Sequence, residues 1–235
     1  MTRMTWTVAL LCWFGLTLSH AGSYSVHPVT LELSAAQPAT TLKVRNREQS
    51  PVTLQLATRK WSQTDGEDSL SNTRDIIAVP PTFTIEPGEE QVVRIGLRQV
   101  EPLLLEQAYR VLLQEIPGDS SNGGGLQFAL NMSLPLFVKP SHAAKPDLAW
   151  LVERQDEGRV ALSVENKGTG HFKFTSWRLQ DDGKDMGAET KLHYVLPGSR
   201  ISWAVKPAAL PASGDEVDII VANGRIEQRA RALVQ

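Results

Sequence analysis

Four histidines follow residue 21: His27, His142, His171 and His193. A metal site on a regular element needs ligands on one face, as His-x-His or at i, i+4. None of the four has that spacing, so no metal is expected. Glu86, Glu89 and Glu90 crowd around Pro87-Gly88. Paired carboxylates can exchange protons as general acid and base, but a turn between two strands puts these at a solvated loop tip. Gly123-Gly124-Gly125 lacks the lysine and the following helix of a phosphate cradle. Asn131-Met132-Ser133 matches a glycosylation sequon, and in a bacterial strand that match is read as chance. Nothing has the form of a nucleophile elbow. The chain is therefore read as no enzyme, with no cofactor and no small-molecule substrate.

What remains is "GGGLQFALNMSLPLFVKP", Gly123 to Pro140. Leu126, Phe128, Leu130, Met132, Leu134 and Leu136 alternate with Gln127, Ala129, Asn131, Ser133 and Pro135, which is a strand with one apolar face. Such a strand ordinarily packs that face on its own core. Pro135 cannot donate to a sheet ladder and points to an edge. An apolar edge strand reached through a glycine run can instead complete another protein's sheet.

The elements that must hold this strand are also strands. Helical periodicity is almost absent. "VTLEL", "TTLKVRN", "PVTLQLATRKW", "TFTIEP", "QVVRIGLR" and "QAYRVLLQEIP" precede it. They are separated by turn signals at Asn46–Pro51, Asp65-Gly66-Glu67, Pro87-Gly88 and Pro117–Gly125. With the strand above, seven fit an immunoglobulin-like sandwich over 22–140. "SHAAKPD" (141–147) reads as a short, stiff linker. A second series fills 148–235: "LAWLVERQ", "RVALSVENKG", "HFKFTSWRLQ", "HYVLPGSRISWAV", "EVDIIVANG" and "RIEQRARALV". No convincing internal repeat relates the two halves.

The chain has 235 residues, 41% hydrophobic and 21% charged, with a formal net charge of −2. No basic stripe interleaved with aromatics is present, so no nucleic acid is expected. Arg3, the apolar "WTVALLCWFGLTL" and Ser19-His20-Ala21 form the pattern of a secretory signal, predicting a signal peptide over 1–21 and a mature start at Gly22. The single cysteine, Cys12, lies inside that signal. A mature chain without thiols has no disulfides and fits a bacterial periplasm.

Three stretches resemble the periplasmic chaperones of chaperone–usher pilus (fimbria) assembly. They are "VPPTFTIEPGEEQVVRIG" (Val79 to Gly96), "EQAYRVLLQEIP" (Glu106 to Pro117) and "LQFALNMSLPLFVKP" (Leu126 to Pro140), with "TLKVRN" near the start. The resemblance implies an all-β molecule, two immunoglobulin-like β-sandwich domains in a boomerang with a cleft between them. It implies a chaperone that captures, folds and stabilises pilus subunits by donor-strand complementation and hands them to an outer-membrane usher. Leu126, Phe128, Leu130, Met132 and Leu134 would be the donated side chains, with Leu134 and Leu136 also serving the chain's own core. Self-association of the free chain is left open. The competing expectation is a structural or adhesive immunoglobulin-like pilus subunit. Such a subunit would carry an N-terminal extension, which the expected start at Gly22 leaves no room for.

One feature of the family is missing. Its members hold the subunit's terminal carboxylate with two basic residues, and the aligned positions here are Thr30 and Pro135. Arg110 is the expected substitute, with Arg94 and Lys139 next. A structural ion pair under the sheet is the competing expectation for Arg94. The missing pair and the wording of "LPLFVKP" resemble the divergent, non-classical branch of the family.

Overall fold

A computed structural model describes residues 24–64, 66–117 and 129–235. The expected signal peptide, the glycine run, Leu126, Phe128 and the Gly22 start lie outside the described residues. Among those described, no helix is long and apolar enough to cross a membrane.

The first ten strands build one sandwich. They are β1 (Tyr24–His27), β2 (Leu31–Ser34), β3 (Ala39–Asn46), β4 (Val52–Thr64), β5 (Glu67–Asn72), β6 (Ile76–Val79), β7 (Thr82–Ile85), β8 (Glu90–Leu97), β9 (Gln107–Ile116) and β10 (Asn131–Lys139). One sheet runs β1-β3-β8-β6, and the other runs β2-β10-β9-β4-β5 with β7 also on β4. Alternation drives the pairing of layers. In β3, Leu42 and Val44 are fully buried, as are Val93 and Ile95 in β8, while Leu54, Val111 and Leu113 meet them from the other sheet.

The sequence reading of seven strands is corrected to ten. Strands β1, β5 and β6 were not expected. β6 is "IIAV", an apolar run with no alternation to mark it, and β1 is a strand of four residues. β5 is "EDSLSN", exposed along its whole length, and it forms because β4 is long enough to fold a hairpin onto itself.

Seven further strands build a second sandwich: β11 (Leu148–Gln155), β12 (Arg159–Asn166), β13 (Phe172–Asp181), β14 (Lys184–Val195), β15 (Arg200–Val205), β16 (Glu216–Asn223) and β17 (Ile226–Leu233). The sheets are β11-β12-β15 and β14-β13-β16-β17. The β13–β14 hairpin turns on Asp182 and Gly183, at φ 50° and 77°. Two central residues at positive φ make the tight turn that matches strand twist, and Asp-Gly is suited to it.

The two sandwiches share a device invisible to strand counting. Asn46 closes β3 and Asn166 closes β12, both fully buried. The Asn46 amide donates to the carbonyls of Ser50 and Ile85, and its oxygen accepts the Glu48 N–H. The Asn166 amide donates to the carbonyls of Gly170 and Val195, and its oxygen accepts the N–H groups of Asp147 and Gly168. Each side chain satisfies loop backbone groups that burial would leave unpaired.

Residues 145–147 are fixed to the second sandwich. Thr169 and Gly170 donate to the Lys145 carbonyl, and Lys167 donates to that of Asp147. A Cβ at Gly168 would lie 2.3 Å from the Lys145 oxygen, so only glycine permits this approach.

Candidate binding edge and cleft

Strand β10 has two different halves. It pairs antiparallel with β9 along its length, from Asn131↔Gln114 to Val138↔Gln107. On its other side β2 pairs with it in parallel, but only from Leu136↔Leu31 to Lys139↔Ser34. Residues 131–135 therefore form a free edge among the described residues. The expectation of an edge strand holds for this half and is corrected for the other, which is interior.

The free half has a defined polarity. The Glu115 N–H donates to the Leu130 carbonyl at 3.1 Å. Backbone groups alternate direction along an antiparallel strand, so those of Asn131, Ser133 and Pro135 turn away from β9. The N–H that Pro135 lacks would have faced the open side, so it costs the ladder nothing. The even side chains face inward and become more exposed away from β2. Leu136 is 0% and Leu134 4% exposed, Met132 is half-buried against the core, and Leu130 is 38% exposed. Leu134 thus departs from the rest of the expected donor run. In this conformation it belongs to the chain's own core.

Beyond Pro135 the odd face is covered as well. Phe137 is fully buried in a cluster with Trp61, Ala108, Tyr194 and Leu196, which joins the two sandwiches. It stacks on His171 with ring centroids 3.7 Å apart and planes at 9°. The Glu106 carboxylate accepts the His171 backbone N–H at 3.0 Å and pairs with Nδ1 at 2.6 Å. Gln63 donates to the Tyr194 carbonyl at 2.8 Å and accepts the Leu196 N–H at 2.9 Å. "LPLFV" reads as continuous rather than alternating because both of its faces are buried.

Arg110 lies at this corner. It is the register partner of Pro135 on β9. Its guanidinium carbon sits 3.7 Å from the Trp61 ring centroid and 5.7 Å from that of Tyr194. Asp68 on β5 approaches to 3.8 Å. Burial pulls the Arg110 pKa below its ordinary value, against the opposing pull of Asp68 and Tyr194. A cavity of about 400 Å³ between the sandwiches is lined by Arg110, Trp61, Asp68, Lys191, His193 and Trp203.

The other expected anchors are not brought to this cleft. Arg94 lies on β8, in the sheet opposite β10, exposed between buried Val93 and Ile95. It forms no ion pair with a described residue, so the ion pair under the sheet is not seen. Lys139 ends β10 and is held by Glu32 at 2.6 Å, which already offsets its charge. Thr30 is half-buried before β2. Sequence reasoning did not find Trp61, Phe137 or Tyr194, which hold Arg110 and the corner. Their only signal is an aromatic at the cleft end of three separate strands. Among the described residues no cluster of His, Cys, Asp or Glu is placed to hold a metal.

The family described as pili and flagellar-assembly chaperone, PapD N-terminal domain, matches residues 23–144. Chaperone protein PapD of Escherichia coli is 29% identical over 94 residues, 38% of this chain and 39% of its own length. The match thus spans about two fifths of that relative. A chain in the crystal structure of the CsuC–CsuE chaperone–tip subunit complex, from archaic Csu pili of Acinetobacter baumannii, has a TM-score of 0.69 at 21% identity, covering 91% of this chain and 99% of that one. The YadV chaperone has a TM-score of 0.64 at 20% identity, covering 88% and 98%. A chain in the complex of Salmonella enterica SafA pilin with the SafB chaperone has a TM-score of 0.61 at 18% identity, covering 89% and 96%. At these identities the likeness to solved structures is one of fold. The family matched is a chaperone family and not an enzyme class. With more than half of its residues matched, the chain belongs to the pili and flagellar-assembly chaperones.

Proposed function

We propose that this chain is a periplasmic chaperone that captures pilus subunits by lending them β10, stabilises them, and delivers them to an outer-membrane usher. The free edge at 131–135, with Leu130 and Met132 rising out of the chain's own core beside it, carries this reading. An incomplete sandwich that lacks a strand needs two things, backbone partners and apolar side chains at every second position. β10 offers both in one segment. The assignment of 22–140 and 148–235 as domains joined by 141–147, and export by a signal at 1–21, belong to the same proposal.

Arg110 is the cation proposed for a subunit carboxylate. Its planar fork suits bidentate pairing, and its partner Asp68 is itself half exposed and can be displaced. With Thr30 and Pro135 unable to carry charge, the chain is read with the divergent, non-classical branch. Leu126 and Phe128 would extend the lent run.

The test is co-purification of a cognate pilus subunit from the periplasm. Leu130→Glu should fold and be soluble, because water still reaches that side chain, yet bring down no subunit, because a charge would enter an apolar groove unpaired. Asn131→Gln, on the opposite face, should remain active. Full capture by Leu130→Glu would overturn the reading.

A further inference from the structure

Leu130 stands where the β9–β10 ladder ends among the described residues, and a ladder end ordinarily frays. Its backbone is nevertheless held three times. The Glu115 N–H donates to the Leu130 carbonyl at 3.1 Å. The Tyr24 hydroxyl donates to the same carbonyl at 3.3 Å. The Leu130 N–H donates to the Glu115 carboxylate at 3.0 Å.

The third bond departs from strand pairing. In a continued antiparallel ladder Leu130 and Glu115 would exchange two backbone bonds. Here the Glu115 side chain replaces its own carbonyl as the acceptor, and an ionised acceptor makes a stronger bond. Tyr24 reaches across from β1, in the opposite sheet, and is 6% exposed. Burial, and secondarily the Glu115 charge, push its pKa up to about 12. Its hydroxyl therefore remains a donor throughout the neutral range.

The free half of β10 needs such a hold. β2 supports the strand only from Leu136 onward. A slip of one residue would exchange Leu130 and Met132 for Asn131 and Ser133 on the inner face. Resting on the reading that β10 is lent, we propose that Glu115 and Tyr24 are positioning residues that lock the register of β10 before a partner strand arrives. The ordering cost is then met on folding and not on binding, which favours association. The clamp also fixes which backbone groups are offered: Leu130 is fully engaged internally, and Asn131 is the first residue with free ones.

The test uses the full-length mature chain with Glu115→Ala, Glu115→Gln and Tyr24→Phe. Amide exchange is followed in the free protein, and capture of a cognate pilus subunit is timed in parallel. Glu115→Ala should speed exchange at the Leu130 and Met132 amides by about tenfold, the scale of one lost hydrogen bond to a charged group, and slow capture by a similar factor. Exchange at Tyr109, toward the other end of the ladder, should not change. Glu115→Gln keeps an acceptor and should largely restore both, and Tyr24→Phe should show a smaller loss. Unchanged exchange at Leu130 in Glu115→Ala would overturn the proposal. So would an equal rise along the whole of β9 and β10, which would mark Glu115 as a general structural support, or faster exchange with normal capture. A wild-type chain that captures no subunit would sink the chaperone reading itself, and with it the register role in capture. The exchange at Leu130 would still report whether the clamp holds the strand.

Discussion

The Arg110 guanidinium lies over the Trp61 ring, 3.7 Å from its centroid, on the strand position directly across from Pro135. A cation is thus held at the cleft end of the free edge by an aromatic floor, although β10 itself carries proline there. The stack makes Arg110 part of the corner as well as part of the cleft.

Removing it should therefore have two effects. Arg110→Ala should abolish subunit capture and also lower stability by about 1–2 kcal/mol, the scale of a desolvated cation–π contact. Arg110→Lys keeps the charge but not the flat stack, and should capture at an intermediate level. Thermal melts and periplasmic pull-downs separate the two effects. Normal capture by Arg110→Ala would exclude it as the anchor.

Asn166→Ala should destabilise the second sandwich by about 2–4 kcal/mol, because four bonds made by one fully buried side chain are lost together and their backbone partners are left unpaired. Asn46→Ala should do the same to the first. Fluorescence of Trp177 and Trp203, both in the second core, reports the first variant. A loss below about 0.5 kcal/mol would place both in the range of ordinary surface changes.

Much of this was legible in the sequence. The alternation in "TTLKVRN" and "QVVRIGLR" marked β3 and β8, whose Leu42, Val44, Val93 and Ile95 are buried. Asn46 and Asn166 each follow a Val-x pair, in "VRN" and "VEN", but a side chain that bonds to loop backbone leaves no periodic trace. Local pattern cannot show that β2 crosses over to cover Leu136–Lys139, since parallel pairing joins residues about a hundred positions apart. Leu134 packs in the chain's own core in this conformation, as expected of the residues nearest the linker. Arg94 read as a candidate by its charge alone, and only the sheet order reveals that it lies in the opposite layer.

Alkaline stability tests the buried end of the sandwich. Burial, and secondarily the Glu115 charge, push the Tyr24 pKa up to about 12 in the fold, against an ordinary value near 10. A raised value means that the neutral form is favoured in the folded chain. Its contribution is complete below pH 10 and is lost as pH rises through 12. Up to about 3 kcal/mol of stability should disappear over that window, and Tyr24→Phe should remove that part of the loss. An identical alkaline loss in Tyr24→Phe would place the effect elsewhere, with Tyr109 the next group whose pKa burial raises.

The lending of β10 is tested most directly at two backbone amides. Asn131 and Ser133 turn their N–H groups to the open side, where no described strand pairs with them. Their amide exchange should be measured in the free protein and in its complex with a cognate pilus subunit. Strand lending predicts rapid exchange at both in the free protein and protection of at least about tenfold in the complex, as new ladder bonds form. Exchange at Asn131 and Ser133 that stays as rapid in a stable complex as in the free chain would contradict it.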